Sequence, residues 1–193
     1  ILRIIGRIAM PLYAYMIAEG CRYTHDWRRY FLRLAGLALV CQMAYYFADH
    51  SLYQCILVTF SMSVVCIRAI DIAQRKGSPG WLLAAAAALF GTGAVCEVLP
   101  RWISGFGVDY GFFGVFLPVI LYYFGKKGIV PGMLLLCLSI GGAQWWALAA
   151  VPLMLLYNGR RGSRSLGWVF YLYYPLHLAV LYGIALLLQS IKI

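Results

Sequence analysis

Ile129-Val-Pro-Gly-Met-Leu-Leu-Leu-Cys-Leu-Ser-Ile-Gly-Gly-Ala-Gln-Trp-Trp-Ala-Leu-Ala-Ala-Val-Pro-Leu-Met-Leu-Leu-Tyr157 is an apolar run with basic residues at both ends, Lys126/Lys127 before it and Arg160/Arg161/Arg164 after it. It reads either as one long tilted helix or as a hairpin turning at 141–143. Lys and Arg are retained on the cytoplasmic side during insertion. A single crossing would put the two basic clusters on opposite sides, so the hairpin is expected. Working outward, the same parity holds along the chain. Eight apolar segments are expected, at 4–21, 32–48, 52–70, 81–99, 110–124, 129–140, 144–157 and 167–189. The loops after the odd ones carry Arg22/Arg28/Arg29/Arg33, Arg75/Lys76, Lys126/Lys127 and Arg160/Arg161/Arg164. Those after the even ones hold little beyond Asp49, His50, Glu97, Arg101 and Asp109.

Composition points the same way. The chain is 64% apolar and only 11% charged, with mean hydropathy +0.82, well outside the soluble globular range. The expected fold is an all-α, polytopic transmembrane bundle forming a single domain over 1–193. Four segments approach the ~20 residues needed to cross a ~30 Å hydrocarbon core; the sixth and seventh are short. The net charge of +10 sits in short loops beside membrane ends, where it means orientation and attraction to anionic lipid, not nucleic acid. Trp27, Trp81 and Trp168 fall at expected cytoplasmic ends, and Trp102 and Trp145/Trp146 at outer ends, where amphipathic rings prefer the interface. Residues 84–88 offer a small-residue face for close helix packing. The six cysteines lie singly in apolar surroundings with no CxxC, so they are read as buried hydrophobes, and no metal is expected. With eight segments, Ile1 would lie outside the cytoplasm beside Arg3 and Arg7, an awkward start that an upstream first helix would resolve.

Chemistry is sought at ionisable groups inside the membrane, where burial is expensive. His177 follows Tyr173 and Tyr174 by four and three positions, so their rings share its helix face, and Pro175 deprives the Tyr171 carbonyl of its helical partner. An imidazole held neutral there acts as a base; the plainer reading is a packed, hydrogen-bonded histidine. Arg7 either orients a polar substrate from the outer side or snorkels to headgroups. Glu19 pairs with Arg22 one turn on. Asp109 either caps the fifth segment or contacts substrate. Asn158, Arg160 and Arg161, in Tyr157-Asn-Gly-Arg-Arg-Gly162, join Arg28, Arg29 and Arg33 in a basic collar suited to the phosphates of a nucleotide-bearing cofactor, or serve only as orienting charge.

Gly6-Arg-Ile-Ala-Met-Pro11…Glu19-Gly20, Asp109-Tyr-Gly…Gly114-Val, Tyr157-Asn-Gly-Arg-Arg-Gly162 and Tyr174-Pro-Leu-His177-Leu together resemble the TraX family. The likeness runs from about Gly6 to Tyr182. Members are bacterial integral membrane proteins, and the conjugation-encoded one is associated with N-terminal acetylation of pilin. The family is also distantly similar to membrane acyltransferases that take an acyl group from cytoplasmic acyl-CoA. TraX-like proteins usually carry an earlier helix with an Asp-His pair, which this sequence does not contain.

The resemblance implies a bacterial inner-membrane acyltransferase using acetyl-CoA. Arg160, Arg161, Asn158, Arg28 and Arg29 would hold the cofactor, and either His177 oriented by Tyr174 or the histidine of an upstream helix would act as base. Arg7 and Asp109 would meet an amine or hydroxyl acceptor, a pilin-like N-terminus or another envelope component. The rival expectation is a transporter or assembly subunit, because prolines at 11, 118, 152 and 175 would break helices around a midplane site.

Overall fold

A computed structural model describes residues 2–159 and, beyond them, 173, 176, 180, 183 and 184. The chain forms two compact units, Ile1–Tyr157 and Asn158–Ile193. In the second, the described residues Tyr173, Leu176, Val180, Gly183 and Ile184 are helical. The first contains α1 (Leu2–Tyr23), α2 (Trp27–Asp49), β1 (Tyr53–Gln54), α3 (Ile56–Lys76), α4 (Pro79–Gly93), α5 (Leu99–Trp102), β2 (Gly107–Val108), α6 (Gly111–Phe124), α7 (Ile129–Ile140) and α8 (Ala150–Leu156). A π-helical turn, Ala94–Val98, joins α4 to α5, and 3-10 turns occupy Gly125–Gly128 and Gly142–Ala149.

Helix α6 is the axis of this unit, with Val115, Leu117, Val119 and Leu121 all buried. Helix α1 lies parallel to it: Arg7 sits over the Tyr110 ring at one end, and Arg22 donates to the Tyr122 carbonyl (2.6 Å) at the other. Helix α3 is parallel too, since Thr59 bonds the Asp109 carbonyl (2.8 Å) near its start and Asp71 meets Tyr122 and Tyr123 near its end. Its hydroxyls are paired internally: Ser61 donates to Leu57, and Ser63 reaches both Thr59 and Val115. Such bonds keep buried polar groups inexpensive in an apolar bundle. Helix α4 packs on α3 through the small-residue face, with Ala85 buried and Thr92 against Cys66.

The two glycine-marked turns make hairpins. At Gly128 a Cβ would meet the Ile120 carbonyl oxygen at 2.9 Å, and at Gly132 it would meet Leu117. Residues 15 apart on a straight helix would be ~22 Å apart, so α7 folds back along α6. A second reversal follows at Gly141 and Gly142, both left-handed (φ 70° and 53°), which glycine adopts freely. It returns α8 to the start of α7, where Lys126 donates to the Leu155 carbonyl (2.9 Å). The expected hairpin at 141–143 is therefore present. The eight 3-10 residues before α8 rise ~2.0 Å each and the seven α residues ~1.5 Å, so this arm extends ~26 Å, more than its residue count suggests.

Phe90, Leu83, Phe47 and Leu156 are each more than 70% exposed. So much outward apolar surface is incompatible with water and suits lipid contact. Four described stretches are long and apolar enough to cross a membrane: Trp27–Phe47, Ile56–Lys76, Pro79–Trp102 and Gly111–Ile140, the last folded into the α6–α7 hairpin. This is an all-α membrane protein. Among the described residues, prolines do not break helices as expected at two positions: α1 and α6 run through Pro11 and Pro118 without interruption, while Pro152 lies within α8 and Pro175 is outside the described residues.

Candidate functional site

Arg7 and Asp109, distant in sequence, come together at one end of the bundle. The Arg7 guanidinium donates to Gln144 Oε1 (3.0 Å) and lies 5.2 Å over the Tyr110 ring. Gln144 is only 1% exposed, and its Nε2 has no hydrogen-bond partner among the described residues. Asp109 is held by a two-residue parallel strand pair, Tyr53 with Gly107 and Gln54 with Val108, extended when Asp109 N donates to the Gln54 carbonyl (3.1 Å). The Tyr53 hydroxyl reaches the Asp109 carboxylate at a long 3.5 Å.

Two features mark this end as more than a helix start. Tyr110 is left-handed (φ 62°), a conformation costing a bulky residue about 1–3 kcal/mol and often found where function constrains the backbone. Asp109 does not cap α6: that helix has no side-chain bond from its N-cap residue, and Glu97 accepts from Phe112 N (3.4 Å) instead. The capping explanation for Asp109 is thus overturned, because the π turn delivers Glu97 to that position. Burial raises the Asp109 carboxyl above the ordinary range, opposed by the Arg7 charge and the Tyr53 hydroxyl. The ion pairs among the described residues are Glu19–Arg22 (2.6 Å) and Asp26–Arg29 (3.0 Å), so Arg7 acts on Asp109 through space.

The opposite end is basic, gathering Arg22, Arg28, Arg29, Arg33, Arg68, Arg75, Lys76, Lys126 and Lys127. The expected Glu19–Arg22 pair forms. Arg28 and Arg29 are exposed, and their amides are capped by Asp26 at the start of α2. Asp26 is therefore a helix cap that also pairs with Arg29. Asp71 accepts from Tyr123 (2.8 Å) and Tyr122 (3.0 Å), and Arg68 stacks 5.3 Å over Trp27. All six cysteines are free thiols, five of them buried.

His177, Tyr174, Arg160 and Arg161 lie outside the described residues, and Asn158 is described as exposed. Sequence reasoning missed Gln144, Tyr53 and Arg68. Arg68 had a usable signal, a lone guanidinium within the third apolar segment. Tyr53 and Gln144 had none, since their role depends on contacts 56 and 137 residues away. The family model for the TraX protein matches residues 1–185. No curated protein and no solved structure matches the chain.

Proposed function

The chain belongs to the TraX family, and on that premise we propose that it is a multi-pass acyltransferase of the bacterial cytoplasmic membrane. It moves an acyl group, most simply acetyl, from cytoplasmic acyl-CoA to an amine or hydroxyl acceptor such as a pilin-like N-terminus or an envelope component. The segments number eight, with the basic end in the cytoplasm by the retention rule. The observation that carries the reading is chemical polarity. Basic residues gather at one end, and the Arg7–Gln144–Tyr110–Asp109–Tyr53 cluster sits at the other. Arg7 and Arg22, on α1, mark the two ends ~22 Å apart at 1.5 Å per residue.

In this reading Arg160, Arg161 and Asn158, helped by Arg28 and Arg29, take the donor's phosphates. Arg7 and Asp109 position the acceptor. The acceptor nitrogen or oxygen attacks the thioester carbonyl carbon as His177, oriented by Tyr174, removes its proton. The carbon–sulfur bond then breaks, and the proton passes to the departing thiolate. Exclusion of water within the bundle limits thioester hydrolysis.

The test is release of free coenzyme A thiol by the purified protein given acetyl-CoA and a peptide amine or envelope hydroxyl acceptor. Acceptor-dependent release is expected, with loss in His177→Ala and a raised acceptor KM in Arg7→Gln. Absence of both acyl-CoA binding and turnover would sink the enzymatic reading. Full activity in His177→Ala would remove that residue's role and leave the class standing.

A further inference from the structure

At the basic end, a cavity of about 250 Å³ opens between the end of α1, the turn into α2, the end of α3 and α6. Its wall includes Arg22, His25, Trp27, Arg68, Asp71 and Arg75. Arg28 and Arg29, expected from the sequence to help bind a cofactor, are not among its described lining residues.

Three observations decide what it takes. First, its cations are unequally engaged. Arg22 is used structurally, bonding Glu19 and the Leu121 and Tyr122 carbonyls. Arg68 is stacked on Trp27, yet its Nε is buried with no hydrogen-bond partner among the described residues. A desolvated guanidinium N–H without an acceptor is expensive, and an incoming anion removes that cost. Second, the wall's acid is occupied: both Asp71 oxygens accept from the Tyr122 and Tyr123 hydroxyls. Arg22, Arg68 and Arg75 outnumber it, so the cavity favours an anion. Third, the volume falls below the roughly 300–1,000 Å³ of pockets that enclose a whole drug-sized ligand. It suits a compact charged group whose remainder lies outside.

We propose that this cavity binds a phosphate or pyrophosphate group, with Arg68 and Arg75 as its ligands and Trp27 fixing the Arg68 plane. Guanidinium matches phosphate oxygens in a way a lysine ammonium does not. Either the nucleotide part of an acyl donor or the headgroup of an anionic lipid supplies that chemistry. The nucleotide source rests on the acyl-transfer reading; the site itself does not.

The experiment uses the full chain in phosphatidylcholine nanodiscs, titrated calorimetrically with inorganic pyrophosphate and with coenzyme A. A parallel set in phosphatidylglycerol-doped discs is read by native mass spectrometry for retained lipid. Phosphate-bearing probes are expected to bind and to weaken about tenfold or more, about 1.4 kcal/mol, in both Arg68→Gln and Arg75→Gln. Lys127→Gln, an exposed charge at the same end, is expected to change little. Arg75 is itself exposed, so Arg75→Gln keeps the test valid if Arg68→Gln fails to fold. Arginine-dependent coenzyme A binding supports the cavity with a nucleotide as its source. Arginine-dependent retention of phosphatidylglycerol without coenzyme A binding supports the cavity and removes the acyl-donor reading. Coenzyme A binding indifferent to both substitutions overturns the cavity assignment and leaves that reading intact. No binding of pyrophosphate, coenzyme A or phosphatidylglycerol overturns it as well.

Discussion

Gly128→Ala probes the α6–α7 reversal directly. The added methyl would lie 2.9 Å from the Ile120 carbonyl oxygen, 2.9 Å from Phe124 Cβ and 3.0 Å from Ile120 Cγ2. Two of those atoms are tied closely to the backbone, so neither retreats by a rotamer change, and α6 and α7 must separate. Overpacking of this kind costs about 1–3 kcal/mol. Alanine recovers about 0.4–1 kcal/mol by restricting the unfolded chain, leaving a net loss of about 1–2 kcal/mol. Gly36→Ala on α2 is the control. Gly36 is exposed with nothing within 4 Å of a Cβ, and mid-helix alanine is favoured by about 0.8–1.0 kcal/mol. The two variants should move in opposite directions, separated by roughly 2–3 kcal/mol on these figures. For a chain of this size that is about 4–12 °C in Tm, readable by tryptophan fluorescence in mild detergent. A Gly128→Ala protein melting with or above wild type would refute the fold-back, because a continuous helix through 111–140 gains from alanine.

Three further outcomes follow from the polar contacts. Asp109→Asn should change the pH dependence of stability. The folded carboxyl is raised by burial, so wild type is unpenalised below the unfolded value of ~3.9 and loses stability as pH climbs through the raised folded value. The variant should therefore gain on wild type as pH rises from about 4 to 7; a constant Tm difference across that range would refute it. Gln144→Leu removes the acceptor of Arg7 and should cost about 1–3 kcal/mol by leaving a charged donor unpaired; chemical denaturation reads this, and an unchanged midpoint would count against the contact. Tyr123→Phe deletes the 2.8 Å bond to Asp71 and should cost about 1.5–3 kcal/mol, as hydrogen bonds to charged groups do. Pairing it with Asp71→Asn in a double-mutant cycle isolates the term, and full additivity would deny the bond.

What the sequence made legible was governed by local chemistry. Lys126/Lys127 between glycines announced one reversal and Gly141-Gly142 the next, because breakers and charge act where they stand. Arg7 and Asp109 were singled out because ionisable groups are rare beside apolar segments, and they do share one end. Other features depended on distant partners. The strand pair joins Tyr53 to Gly107, 54 residues on, and no periodicity marks a strand two residues long. The π turn at Ala94–Val98 places Glu97 over the start of α6, so the cap that Asp109 seemed suited to fill was already taken. The 3-10 stretch Gly142–Ala149 has an ordinary apolar composition, and its extra rise shows only in the backbone. At the basic end, Arg28 and Arg29 were conspicuous as a pair, while the cavity is lined by Arg68 and Arg75 from α3.

Cysteine labelling from each side of intact cells tests most directly that the two chemically different ends face opposite compartments. Lys76→Cys and Ser104→Cys place exposed thiols at the basic and polar ends respectively. A membrane-impermeant maleimide should modify position 104 in intact cells and position 76 only after the membrane is opened. Labelling of both positions in intact cells, or of position 76 alone, would contradict the orientation on which donor and acceptor roles were assigned.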